Sequence, residues 1–120
     1  MTSAALPSWR YEEGVAKGSW EGADLGSDVS GFIVHAAPGE GPEAHTHPYS
    51  ETFIVLEGLG RFRFGDGYVE AEAGDVVVVP HDTAHGFKGL GPGNLRMVTI
   101  HASSRMETTW LGDADDGEVS

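Results

Sequence analysis

The sequence predicts an all-β domain closed into a barrel or sandwich. Short β-prone runs recur along the chain, punctuated by 18 glycines and 6 prolines, the pattern of many strands joined by tight turns. No stretch sustains an apolar period of 3.6 residues, the mark of an amphipathic helix. The length, 120 residues, suits one domain with a core of useful size. That core forms without cross-links, because the chain has no cysteine. Disulfides and thiolate metal sites are therefore excluded, and the redox compartment is not legible.

Taken in order, residues 1–8 are small or polar and read as a loose arm. A domain over 9–111 follows, opening on Trp9, Arg10 and Tyr11, with Trp20 soon after. These aromatics read as packing at a barrel edge or a dimer seam. Phe32 to Ala36 reads as a strand ahead of a Pro38-Gly39 turn. His35 on that strand is given a structural role. Thr52 to Glu57 is the next strand, turned by Gly58-Leu59-Gly60. Arg61 to Phe64 follows, with Phe62 and Phe64 on one face and the arginines on the other. Gly65-Asp66-Gly67 is a hairpin signal, leading into Tyr68 to Ala73. Val76 to Val79 is an unbroken β-branched run, read as a strand buried on both faces, and Pro80 stops it. Leu95 to Ala102 is the last clear strand. Residues 112–120 carry four acids and little to bury, so a disordered acidic tail is expected.

Nineteen acidic against seven basic residues give a formal charge of −12. That balance argues against nucleic acid, whose phosphates require a basic face, and equally against an anionic membrane surface. The acidity reads as a solubility device. No apolar run approaches a membrane span, and the N-terminus lacks a basic region followed by an apolar stretch. A cytoplasmic location is the expectation.

The chemistry concentrates between Gly39 and Gly58. His45 and His47 stand two apart, which on an extended strand directs both imidazoles to one face. Glu51 follows after a bend at Pro48 and Ser50 and opens the next strand, where its carboxylate can reach the same point. Two histidines and a carboxylate on β scaffolding are a common donor set for a divalent transition metal. Parity from Glu51 carries Phe53 and Val55 inward.

This stretch resembles the first signature of the cupin superfamily: Gly39, five residues, His45, one residue, His47, three residues, Glu51, six residues, Gly58. The second signature is matched at Gly74, Pro80 and His85. Asp82 stands where the family has glycine, and Gly89 where it has asparagine. Both departures touch turn geometry rather than ligation. The chain is similar to the small single-domain bacterial cupins. The resemblance implies a jelly-roll barrel and adds His85 to His45, His47 and Glu51 as ligands of one ion, with Fe, Mn, Ni, Co, Cu and Zn all compatible with the donors.

Four further residues are candidates for the pocket. Phe53 and Phe87 would form an aromatic wall. Tyr49 would stand at the mouth as a donor or as packing. His101 reads equally as a base or substrate contact and as a surface histidine at a strand end. His81 falls in a turn and faces solvent. A fold does not dictate a function. The first expectation is a metal-dependent enzyme on a small oxygenated molecule, of dioxygenase, isomerase or cyclase type. The alternative is a non-catalytic small-molecule-binding module. The family also makes a homodimer the expected assembly.

Overall fold

The structure, a computed structural model, describes residues 6–11 and 18–111. The first five residues of the expected arm and the whole acidic tail lie outside the described residues. Among the described residues ten strands form in chain order: β1 (Ser19–Trp20), β2 (Ser30–Ala36), β3 (His45–Thr46), β4 (Glu51–Glu57), β5 (Leu59–Phe64), β6 (Gly67–Glu72), β7 (Val76–Val79), β8 (His85–Gly89), β9 (Leu95–His101) and β10 (Thr109–Trp110). A 3-10 turn at Gly22–Asp24 is the one helical element among the described residues. One sheet has the order β1-β2-β9-β4-β7 and the other β10-β3-β8-β5-β6. All strand pairs are antiparallel. The two sheets face each other as a double-stranded jelly roll.

The interior follows from period-two alternation. Along β9, Leu95, Met97, Thr99 and His101 are buried, while Arg96, Val98 and Ile100 between them are half-buried. Along β4, Glu51, Phe53 and Val55 point the same way, as parity requires. Register sets Glu51 beside His101, Phe53 beside Thr99, and Val55 beside Met97. On β2, Ser30 pairs with His101, Phe32 with Thr99 and Val34 with Met97. Phe87 and Phe62 are in register across β8 and β5. They meet Phe53 from the opposite sheet at ring-centroid distances of 5.9 and 5.2 Å. Full burial of side chains such as these stabilises the fold by about 1.5–3 kcal/mol each.

Three local readings need correction. Val76 to Val79 is not buried on both faces: Val76 and Val78 are 59% and 57% exposed. β7 is the edge of its sheet, so only Val77 and Val79 turn inward. A continuous valine run carries no parity signal to distinguish these cases. Second, Leu59 and Gly60 belong to β5 rather than to a three-residue turn. The reversal is made at Gly58, whose φ of +83° suits glycine, and where a Cβ would collide with the Asn94 carbonyl. Third, Phe62 and Phe64 do share a face, but only Phe62 reaches the core, because Phe64 stands beside the turn at 65–66, paired with Gly67, and is 38% exposed.

Candidate metal centre

The site is built at one end of the barrel by backbone register. His45 on β3 pairs directly with His85 on β8. After His47 the chain bends through Pro48 and Tyr49 and enters the facing sheet at Glu51. Ligand atoms of His45, His47, Glu51 and His85 lie within 4.8 Å of one another, and all four residues are buried.

Each imidazole is turned by a backbone carbonyl. His45 Nδ1 donates to Glu43 O at 2.6 Å, His47 Nδ1 to Glu107 O at 2.8 Å, and His85 Nδ1 to Thr83 O at 2.8 Å. A carbonyl only accepts, so these contacts place the proton on Nδ1 and leave the lone pair on Nε2. The Nε2 atoms of His47 and His85 sit 3.1 and 3.0 Å from the same Glu51 oxygen, Oε1. His47 Nε2 is fully buried and makes no aligned hydrogen bond despite that proximity. Lone pairs converging on a carboxylate oxygen repel unless a cation or a proton lies among them. The four side chains therefore fit a metal: three nitrogen donors and one oxygen donor, already desolvated and aimed at one point.

The charge states agree with that arrangement. Burial pushes His45 down to about 4, so it stays neutral and ready to ligate. Burial also opposes the charged form of His47, but Glu51 and the Glu107 carbonyl outweigh it and hold its pKa above the ordinary value. Burial works against the Glu51 carboxylate too, yet His101, His47 and His85 together keep it well below the usual range. Glu51 is thus an anion at any ordinary pH.

Behind the four candidate donors stands a hydrogen-bonded chain. Glu107 N–H donates to Tyr49 Oη at 3.1 Å, and Tyr49 Oη lies 2.6 Å from His101 Nδ1. Glu51 Oε2, which only accepts, faces His101 Nε2 at 2.9 Å, so Nε2 carries the proton, although the pair is not aligned as a hydrogen bond. His101 Nδ1 therefore holds a lone pair, to which the Tyr49 hydroxyl donates. Tyr49 also stacks on His47, with centroids 5.1 Å apart and planes 8° from parallel. The segment supplying Glu107 is itself tied down. Glu21 accepts from Met106 N–H at 2.8 Å and from Arg105 at 3.0 Å.

His45, His47 and Glu51 open onto a cavity of about 540 Å³ whose wall includes Phe32, Phe53, Phe87, Thr99, His101 and Trp110. Phe53, Phe87 and His101 thus lie where the chemistry needs a wall, and His101 is buried rather than at the surface. Tyr49 is not on the cavity surface but behind His101 and His47. His81 lies in the turn before β8 with its side chain 73% exposed, beside Asp82. Asp82 itself adopts φ of +57°, so this aspartate sustains the left-handed turn of the family glycine it replaces.

Sequence reasoning did not find the carbonyls of Glu43, Thr83 and Glu107, nor Phe32, Thr99 and Trp110. One of these had a signal: Thr99 is two residues before His101 on one strand, whereas Phe32 joins its row only through the register of β2 with β9. Trp110 had none. Its ring reaches the His45 ring at 4.8 Å only because β10 returns to pair with β3.

Comparison with known proteins gives the family. A family model described as a cupin domain matches residues 32–101, a span that holds every donor. The chain is a cupin. Polyketide synthase CurC of Streptomyces cyaneus is 35% identical over 90 residues, covering 72% of this cupin and 58% of that protein. Protein SchB of Streptomyces halstedii is 32% identical over 94 residues, covering 76% and 67% respectively. The chain thus spans roughly three fifths to two thirds of the length of these relatives. Among solved structures, a double-stranded β-helix protein of Klebsiella pneumoniae superposes with a TM-score of 0.70 at 23% identity, covering 87% of this cupin and 90% of that chain. Oxalate decarboxylase from Bacillus subtilis gives 0.71 at 21% identity, over 78% and 26%. These two show the fold shared with this cupin.

Proposed function

We propose that this cupin is a metal-dependent enzyme acting on a small, oxygenated aromatic molecule, and that its reaction is a proton-transfer rearrangement, an isomerisation or cyclisation. The observation that supports this reading is the opening of the four-donor cluster onto an aromatic-walled cavity that also carries His101. His45, His47, Glu51 and His85 would hold one divalent ion. Bound there, such an ion would supply Lewis acidity to a pair of adjacent substrate oxygens and so would acidify a neighbouring C–H. Phe53 and Phe87 hold the planar body of the substrate against one wall. Burial of the site excludes water from the reacting carbon. His101 gives its Nε2 proton to a substrate oxygen as Nδ1 takes the Tyr49 proton; the Nε2 lone pair so freed accepts the proton of the acidified C–H, and Nδ1 returns its own to Tyr49. Burial raises the Tyr49 hydroxyl above its ordinary pKa, so that proton is retained at neutral pH. The relative named polyketide synthase CurC fits this reading, since polyketides carry oxygens at regular intervals on a carbon frame.

The test uses metal-loaded protein and a panel of aryl hydroxy-ketones, enediols and catechols in deuterium oxide. Metal-dependent exchange of the hydrogen next to the chelating oxygens, seen by NMR and slowed in His101→Gln, is the expected outcome. Oxygen uptake with Fe or Mn and no exchange would move the assignment to dioxygenase chemistry. Tight binding with neither would make this cupin a binding module.

A further inference from the structure

Thr99 is 1% exposed, and its hydroxyl has no hydrogen-bond partner. It is the one buried hydroxyl among the described residues in that condition. A hydroxyl left in this state is costly, because it has surrendered water and gained nothing. Native interiors rarely leave such a group unexplained. Thr99 is also a wall of the cavity. Its row neighbours are Phe32 on β2 and Phe53 on β4, so an aromatic side chain flanks it on each side. The remaining orphaned atoms, on His47 and His101, belong to the metal cluster and its hydrogen-bonded chain.

The position of Thr99 in the sheet gives a length. It lies two residues from His101 on the same face of β9, and His101 is in register with Glu51. Two residues along a strand span about 7 Å. The row holding the orphan hydroxyl is therefore one two-ring frame away from the row holding the metal carboxylate. The side chain is β-branched, and its staggered rotamers exchange the hydroxyl and the methyl at the cavity wall.

We propose that Thr99 is a specificity-determining residue: its hydroxyl receives a second polar group of the substrate, carried at the far end of the aromatic body whose near end chelates the metal. This inference rests on the chelation reading above and narrows it. The preferred substrate is a fused or extended aromatic with two adjacent oxygens at one end and a hydroxyl or carbonyl at the other. A single-ring catechol reaches the metal but leaves Thr99 unsatisfied. A two-ring apolar frame fills the wall but buries the orphan further.

The experiment compares naphthalene-2,3-diol with naphthalene-2,3,6-triol. Both are titrated anaerobically by calorimetry into zinc-loaded wild type, Thr99→Val and Thr99→Ser. In the wild type the distal hydroxyl is expected to tighten binding by about 5-fold or more. Thr99→Val, which keeps shape and removes the hydroxyl, is expected to lose the preference for the triol over the diol. Thr99→Ser is expected to keep it. Zinc content and Tm of both variants establish that the site and fold are intact. Equal affinity of wild type for the two ligands, or an undiminished preference in Thr99→Val, overturns the proposal while chelation stands. Failure of the diol itself to bind zinc-loaded protein removes the chelation reading and this inference with it.

Discussion

The two ends of β9 lie in one strand, on one face, with one alternation, yet they are held by different forces. At the Leu95 end, Leu95 and Met97 are fully buried and pack with Val55, Ala36 and Phe62. Each of these contacts is non-directional and is complete within the fold. At the His101 end, the buried groups are His101, Glu51, His45, His47 and His85. Here burial alone is unfavourable, and three backbone carbonyls and a tyrosine hydroxyl offset it. The difference teaches that one end of the barrel makes the fold and the other end spends part of that stability on a preorganised site.

That comparison breaks most visibly at His47. In His47→Ala, stoichiometric metal is expected to fall to a small fraction after dialysis against a modest chelator, by elemental analysis. The wild type should gain about 4 kcal/mol of stability with free metal at a thousand times its Kd, and the variant should gain almost none. Retention of full metal would show that the donor set is wrong. At the other end, Leu95→Ala should cost about 2–5 kcal/mol in chemical denaturation, yet the folded protein should still bind one metal ion. Loss of metal together with stability would mean that the two ends are not separable.

Proton linkage sharpens the same contrast, because only the polar end titrates. In the metal-free protein His45 is depressed from 6.5 to about 4. Between those values the unfolded chain binds the proton and the folded chain does not. The His45 contribution is therefore complete above about 6.5 and is lost as the pH falls to about 4. Glu51, also depressed, acts in the same direction below 4.5. His47 is raised, so its contribution is fully present below 6.5 and is lost only as the pH rises through its folded value. Between pH ~6 and ~4.5 His47 is thus constant, and metal-free protein should lose up to about 1.4 kcal/mol per pH unit. Urea midpoints at the two ends of that window check it, and His45→Gln should flatten the dependence.

The smallest expected effect concerns the outside of the barrel. A homodimer is proposed, seamed near Trp9, Tyr11 and Trp20. Trp9 and Trp20 already pack on each other at 5.6 Å, which reduces what a partner would gain there. Light scattering should give twice the 12.7 kDa chain mass, and a monomer at micromolar concentration would remove the proposal.

The sequence by itself determined the sheet-rich class, most of the strands, and the pair His45 and His47 with Glu51, because these depend on short-range parity and turn chemistry. The motif spacing also pointed to His85, although only the register of β3 with β8 places it beside His45. Parity was enough to turn Phe53 inward. It was silent for Val76 to Val79, where every residue is valine and exposure depends on β7 lying at a sheet edge. Tertiary structure alone decided what surrounds the donors. Glu107 reaches His47 across 60 residues, and Tyr49 reaches His101 across 52. Contacts of that separation leave no periodic trace in a single chain. They form only when two sheets close on each other, when a donor finds whichever acceptor the packing brings within 3 Å.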